Sequence, residues 1–135
     1  MGIRQGSRTD PRLETELIIW LTTVRGDGQP QASPVWFLWD GESFLIYSQP
    51  HRQKLRNIDR NPHVALNLDG DGGGGDIVTM EGTARVAEEA PAAHQVPEYL
   101  EKYREEIARL GTDPEGFAAD YSVAIEVRPT RVRAF

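Results

Sequence analysis

A short basic segment is the part of this sequence best suited to bind a charged ligand. Four of the 15 Lys and Arg residues fall within residues 52–60, although the formal net charge of the chain is -6. The segment follows an apolar run and stops at Asn61-Pro62, because the residue before a proline disfavours helical backbone. A helix starting here would place Lys54, one of two lysines, beside free backbone N–H groups and the positive end of the macrodipole. The segment therefore predicts a phosphate-type anion site, with a solvated helix face as the alternative.

A glycine-rich stretch, residues 69–76, is a second feature that could contact a ligand. A calcium loop beginning at Asp69 would need ligands where Gly73 and Met80 stand, so that interpretation fails. A P-loop fails as well, because no Gly-Lys-Ser/Thr follows. Two interpretations remain: a flexible hairpin loop, or a bare backbone that lets a flat ligand approach closely.

Other reaction chemistries are poorly supported by this sequence. Cysteine is absent, and His51, His63 and His94 lack the spacing of metal ligands, so no metal site is expected. No Gly-x-Ser-x-Gly nucleophile motif occurs and no acid–base pair stands out, so no catalytic side chain is assigned. Any reaction is therefore expected to be carried by a bound cofactor.

The elements that would position these residues are mostly strands. Apolar, β-branched and aromatic runs predict strands over residues 17–24, 31–39, 43–49, 64–68, 77–87 and from 123 onwards. Helical spacing and capping residues predict helices near residues 9–11, in the basic segment, and over 96–110 and 114–119. Six or seven antiparallel strands, in a single domain over residues 11–135 after a flexible 1–10, favour a closed or partly closed β-barrel.

An aromatic cluster lies within the strand predicted over residues 31–39. Strand alternation sends Trp36 and Trp39 to opposite faces, so they are not expected to line the same pocket. One of the two is expected to face a dimer partner or a planar ligand.

Composition narrows the class of protein and its partners. A net charge of -6 argues against a nucleic-acid-binding surface, because duplex affinity comes mainly from neutralised phosphates. Residues 1–6 lack the apolar region of a secretory signal, and the longest apolar run, residues 17–21, is too short to span a bilayer. We therefore expect a cytoplasmic protein without nucleic-acid or membrane partners.

Three groups of motifs occur in an order that matches a known superfamily. They are residues 21–24 with 28–37, then residues 47–50 with 54–58 and 61–66, and finally Glu81-Gly82-Thr83-Ala84. Together they resemble the pyridoxamine 5'-phosphate oxidase-like split β-barrel superfamily, and within it the small actinobacterial branch that uses the deazaflavin coenzyme F-420. The resemblance implies a mainly β fold, a six- to seven-stranded antiparallel split barrel of the FMN-binding type. It also implies a homodimer with cofactors at the subunit interface.

The resemblance further implies which residues bind the cofactor. Those that would hold its phosphate are Ser48, Gln49, Arg52 and Lys54. Those that would run beside its ring system, with backbone hydrogen bonds to the pyrimidine edge, are Ser33, Pro34, Val35 and Trp36. Three further positions match more loosely: Asn57, which fits the motif, and Gly74 and Gly75, which would approach the tail or the ring.

The activity implied is hydride transfer from reduced coenzyme F-420 to an electron-poor organic acceptor of quinone, enone, lactone or tetrapyrrole type. The chain lacks the C-terminal arginine-containing substrate segment of pyridoxamine phosphate oxidases, so oxidation of vitamin B6 is not expected. Asp69, Asp71 and Asp76 would repel a polyglutamate tail if they faced it, which leaves FMN as the alternative cofactor. The alternative functions are an FMN oxidoreductase and a non-catalytic carrier of a flavin or tetrapyrrole.

Overall fold

The computed structural model describes residues 10–134, with side chains described through residue 133. The strands of this range are β1 (Ile19–Val24), β2 (Pro30–Val35), β3 (Leu38–Trp39), β4 (Phe44–Ser48), β5 (His63–Leu68), β6 (Val78–Val86) and β7 (Val123–Ala134). The α-helices of the same range are α1 (Arg12–Thr15), α2 (Gln53–Arg60), α3 (Pro97–Arg109) and α4 (Pro114–Asp120). A 3-10 turn, Ala93–Gln95, precedes α3.

These strands form one antiparallel sheet in the order β2-β1-β5-β6-β7-β4-β3. The sheet curls into a half-barrel, so the predicted mainly β split barrel of six to seven strands is confirmed. The pairing of β6 with β7 shifts register between Glu81 and Gly82, and such a bulge increases the local twist. Position 82 requires glycine, because a Cβ there would lie 2.7 Å from the backbone oxygen of Arg128.

Two apolar clusters pack on opposite sides of β4. The first lies inside the half-barrel and includes Ile46 of β4 and Phe37. The second lies under α3 and α4 and includes Tyr47 of β4, Tyr99 and Phe117. Neighbouring strand residues point to opposite faces, so β4 is buried on both sides. The helices therefore form a second layer on one face of the half-barrel, and the C-terminal end of β4 lies between the two clusters.

The strand predicted over residues 31–39 is wrong as a continuous element. β2 ends at Val35 and pairs with β1, whereas β3 begins at Leu38 and pairs with β4. The backbone groups of Phe37, which lies between the two strands, find their hydrogen-bond partners on α3. The N–H of Phe37 donates to the Tyr103 hydroxyl at 2.8 Å, and Lys102 donates to the Phe37 carbonyl at 2.8 Å. The two tryptophans therefore lie in different layers, and Trp39 packs on Phe44 inside the half-barrel. Strand alternation predicted that the two side chains would be separated, but the cause is the break between β2 and β3 rather than one continuous strand.

The flexible segment predicted over residues 1–10 and the helix predicted near residues 9–11 lie largely outside the described range, because residues 1–9 are not part of it. Asp10 is described, and its Oδ1 atom accepts a hydrogen bond from the Arg12 N–H at 3.0 Å at the start of α1. No helix within residues 10–134 has the length and apolar character needed to cross a membrane.

Candidate functional site

The turn from β4 into α2 brings together the residues predicted to bind an anion. The chain leaves β4 at Ser48, and His51 adopts a left-handed conformation with φ of 64°. Arg52 is the extended N-cap residue of α2, and no side chain of the described residues caps this helix start. The Arg52 guanidinium instead donates to Oε1 of Gln49. The positive end of α2 is therefore left available to an acceptor from outside the chain.

This turn forms one end of a cavity of about 370 Å³. The opposite end is built by α3 and α4, and the C-terminal end of β2 runs along the side. Its lining residues are Ile18, Pro34, Val35, Trp36, Tyr47, Ser48, Gln49, Arg52, Lys54, Tyr99, Leu110, Phe117 and Tyr121. The cavity thus joins a basic, polar end to an aromatic end.

The basic end carries positive charge without a matching carboxylate. Among the described residues, no Asp or Glu forms an ion pair with Lys54 or Arg52. Burial lowers the pKa of Lys54 from its ordinary value, and the nearby charge of Arg52 lowers it further. Both effects disfavour the ammonium form, and a bound anion would offset both. This end of the cavity therefore has the electrostatics of a phosphate site.

The aromatic end is a continuous stack of rings. The Trp36 ring lies 4.7 Å from that of Tyr103 with an interplanar angle of 7°, and 5.4 Å from that of Phe117 with an angle of 14°. Phe117 in turn stacks on Tyr121 at 4.5 Å and 11°. Near-parallel rings at these separations stack face to face, so these side chains cover one another's faces and form an apolar aromatic column at this end of the cavity.

Three tyrosines near the aromatic end differ in how their hydroxyl groups are satisfied. Tyr47 donates to the Pro91 carbonyl at 2.7 Å, and burial raises the pKa of Tyr47 to about 12. Tyr103 bonds to backbone atoms of Phe37. The Tyr99 hydroxyl is buried and has no hydrogen-bond partner among the described residues. Only the first two hydroxyls are therefore committed to holding the fold.

Seven of the eleven predicted site residues line this one cavity: Pro34, Val35, Trp36, Ser48, Gln49, Arg52 and Lys54. Four do not line it: Ser33, Asn57, Gly74 and Gly75. Contacts of these four residues with the cofactor stay predictions. The structure shows another role for Asn57, and it places Gly74 and Gly75 in a loop outside the cavity lining.

Asn57 ties α2 to the sheet. Its amide nitrogen donates to Oγ1 of Thr23 at 2.9 Å and to Oε1 of Gln31 at 3.0 Å, and its carbonyl oxygen accepts from Gln53 at 2.8 Å. The residue is 1% exposed. Asn57 therefore positions the helix that carries Lys54, and it does so from outside the cavity.

The glycine loop is closed on itself by Asp71. The backbone N–H groups of Gly73 and Gly75 both donate to Oδ1 of Asp71, at 2.8 and 3.0 Å, and these bonds lower the pKa of that carboxyl. Arg12 of α1 donates to the Asp76 carbonyl and anchors the end of the loop. Two of the amide groups that a ligand would need are therefore already bonded.

The aromatic residues of α3 and α4 are the part of the cavity that sequence reasoning missed. The helical period of residues 96–110 predicts a buried face without distinguishing core from pocket. One signal was present: that face carries Tyr99 and Tyr103, Phe117 follows on α4, and Tyr121 comes directly after α4. Such a group of aromatic residues is typical of a ligand pocket as well as of a core.

A split barrel with this cavity defines a class, the flavin- or deazaflavin-binding folds of oxidoreductase type. Comparison with known proteins gives the family: a family model described as pyridoxamine 5'-phosphate oxidase matches residues 8–135. The chain therefore belongs to the pyridoxamine 5'-phosphate oxidase family.

Three solved structures illustrate what the chain is similar to. An F-420 reductase is 31% identical with a TM-score of 0.70, and the match covers 97% of this chain and 98% of that one. A conserved hypothetical protein from Mycobacterium tuberculosis is 25% identical with a TM-score of 0.72, covering 98% and 84%. The heme storage protein HutZ from Vibrio cholerae is 15% identical with a TM-score of 0.64, covering 97% and 95%, and shares the fold alone. The first two support the F-420-dependent reductase branch of the split-barrel superfamily.

Proposed function

We propose that this protein is a reductase that binds reduced coenzyme F-420 and delivers a hydride to an electron-poor organic acceptor. The observation that carries the proposal is a single cavity lined by two cations without a carboxylate partner among the described residues, by the end of a strand whose outer edge has no strand partner in the same range, and by aromatic side chains. These three features suit three chemical parts of a flavin-type cofactor: the phosphate, the heterocyclic edge and the apolar ring system. The similarity to an F-420 reductase favours the deazaflavin over FMN.

The phosphate would bind at the start of α2. Lys54 and Arg52 supply charge, Ser48 and Gln49 supply neutral hydrogen-bonding groups, and the helix start adds its unsatisfied N–H groups. A bound phosphate would offset the burial of Lys54, because its charge would compensate an ammonium group that has no carboxylate partner in the described residues. The basic end would thus fix one end of the cofactor.

The ring system would lie along β2. This strand is the last in the sheet order, so one of its edges has no strand partner among the described residues. Pro34, Val35 and Trp36 line the cavity where that edge ends. Backbone groups here would hydrogen-bond the heterocycle while the side chains exclude water. The cofactor supplies the hydride when bound, and the protein contributes orientation and a dry environment.

We further propose that the protein acts as a homodimer with the cofactor at the subunit interface. Ile18 and Leu110 line the cavity, yet they are 39% and 56% exposed and belong to the few large apolar side chains of the described range with such exposure. A second copy seated over this rim would bury both and complete the enclosure that a water-sensitive hydride transfer needs.

The proposed function is tested by titrating purified apo-protein with coenzyme F-420 and, separately, with FMN, read by quenching of the tryptophans. Trp36 in the cavity wall serves as the reporter, and Trp36→Phe as the control for signal assignment. Micromolar or tighter binding of F-420 with much weaker FMN binding supports the proposal, and oxidation of the reduced coenzyme by added acceptors would complete it. A yellow protein that retains FMN would indicate the flavin alternative instead. Binding without reduction of quinones, enones or tetrapyrroles would indicate a carrier.

A further inference from the structure

The hydrogen bonds of Asn57 reach from α2, which carries Lys54, to β2, the strand proposed to bind the ring. The amide nitrogen of Asn57 donates to Oε1 of Gln31 on β2 at 3.0 Å and to Oγ1 of Thr23 on β1 at 2.9 Å. Gln31 and Thr23 lie directly opposite each other in the pairing of β1 with β2. One amide group therefore bridges a cross-strand pair and connects α2 to both strands at the same point.

The orientation of this amide is fixed within the protein. Its carbonyl oxygen accepts from Nε2 of Gln53, one turn earlier on α2, at 2.8 Å, and both of its N–H groups are directed at the two strands. Asn57 and Thr23 are both buried, so water does not compete for these bonds. Lys54 lies three residues before Asn57, which places it on the same side of α2. The bond between Asn57 and Gln31 thus sets where the helix segment carrying Lys54 lies relative to β2.

Apolar packing alone does not define this position. Ile58 and Leu55 of α2 pack on the core, but apolar contacts are non-directional. A hydrogen bond weakens steeply with distance and angle, so the bond between Asn57 and Gln31 resists a slide or rotation of the helix that the apolar contacts would tolerate. From Gln31 it is three residues along β2 to Pro34, where the strand begins to line the cavity, which is about 10 Å.

We propose that Gln31 is a positioning residue: through Asn57 it holds α2 against β2, so that the basic end of the cavity and the end of β2 keep one fixed separation. The site would then select a ligand that carries a phosphate and a heterocycle in one molecule at that separation. The second contact of such a linked ligand adds to affinity only when both halves of the site are in register. This inference rests on the proposed function and deepens it. Gln31 itself contacts no ligand, because its side chain does not belong to the cavity lining.

The test compares linked and unlinked ligands on the apo-protein. Fluorescence titration would measure the affinities for F-420 and for its deazaflavin ring with the ribityl chain but without phosphate, and phosphorus NMR would measure the affinity for inorganic phosphate. Gln31→Met keeps the length of the side chain and removes the acceptor for Asn57. The preference for F-420 over the phosphate-free ring should fall about threefold to tenfold in this variant, the range of one net hydrogen bond. The affinities for the ring alone and for inorganic phosphate should be unchanged, because each half of the site is intact.

Gln29→Met is the matched control. Gln29 is an exposed residue of the same hairpin, and its side chain donates to the neighbouring Pro30 carbonyl rather than to α2. The preference for F-420 should survive in that variant. A purely structural role of Gln31 would lower stability in urea without changing the ratio of the two affinities, so this ratio separates positioning from folding.

Three results would overturn the inference: an unchanged preference in Gln31→Met, an equal fall in Gln29→Met, or a matching loss of affinity for inorganic phosphate, which would place the effect in the basic end itself. Failure of the proposed function shows differently, as wild-type protein that does not bind F-420. If wild type then binds FMN, the same comparison with FMN and riboflavin decides the inference. Binding of neither cofactor would overturn both.

Discussion

The ammonium group of Lys102 donates a hydrogen bond to the carbonyl oxygen of Phe37 at 2.8 Å and lies 3.6 Å from the centroid of the Phe37 ring. One side chain of α3 thus holds both the backbone and the ring of the residue at which β2 gives way to β3. The ammonium is partly buried to make these contacts, and burial lowers the pKa of Lys102 to about 8.

Stability should therefore respond to Lys102 in the alkaline range. Lys102 loses its proton near pH 8 in the folded protein but near its ordinary value of 10.5 when unfolded. Between these values the unfolded chain binds more protons, so this group makes the free energy of unfolding rise with pH. Urea unfolding across pH 8 to 10 should show that rise in wild type and a flatter profile in Lys102→Met. An identical pH profile in both proteins would mean that Lys102 does not cause the rise in the free energy of unfolding.

Lys54 should be essential for cofactor binding. Loss of its charge-assisted contact with a phosphate in Lys54→Ala should weaken binding by about 1.5–3 kcal/mol. Arg56→Ala is the control, because Arg56 lies on the same helix with the same charge but does not line the cavity. Titration of both variants with F-420 checks the prediction. Equal losses would mean that general electrostatics of α2, rather than a specific contact, binds the cofactor.

Asn57 should matter for stability. Asn57→Ala removes three hydrogen bonds at a residue that is 1% exposed and leaves their partners unpaired. We expect the free energy of unfolding to fall by about 1–3 kcal/mol. Asn61→Ala, at the end of the same helix, loses a single contact to the His63 N–H and should cost less. Chemical denaturation of the two variants compares them directly, and a larger loss for Asn61→Ala would contradict the role assigned to Asn57.

Gly82 should tolerate no side chain. In Gly82→Ala the new Cβ would meet the Arg128 backbone oxygen at 2.7 Å, and relief of such a contact costs about 1–3 kcal/mol. Gly73→Ala provides the contrast, because its Cβ would lie 3.5 Å from the nearest atom outside its chain neighbours, Oδ1 of Asp71. Thermal unfolding should show a lower Tm for the first variant and little change for the second.

The sequence predicted the fold class and most of the basic end, because both depend on local patterns. Strand alternation and the step from β4 into α2 are visible within a few residues of Lys54. The break between β2 and β3 was not predictable in the same way, since the groups that hydrogen-bond Phe37 come from Lys102 and Tyr103, which lie 65 and 66 residues further along the chain. A local pattern carries no information about such a partner.

The same limit applies to individual side chains of the site. A motif match placed Asn57 near the cofactor, and only the contacts to Thr23 and Gln31 reveal what it holds. The orphan hydroxyl of Tyr99 could not be foreseen either, because its helical spacing is that of any buried residue. Periodicity predicts that a side chain is buried. Whether its polar atoms find hydrogen-bond partners depends on neighbours that the fold brings together.

One edge of β2 has no strand partner within residues 10–134, and the residues of this strand bear on aggregation. Unpaired strand edges are templates for aggregation, and two of the six residues of β2, Pro30 and Pro34, have no backbone N–H to offer an invading strand. A small heterocycle needs only one or two backbone groups, so it is less affected by this restriction than a peptide would be. The prolines thus disfavour self-association through β-pairing at this edge, and they leave room for the small ligand proposed to bind there.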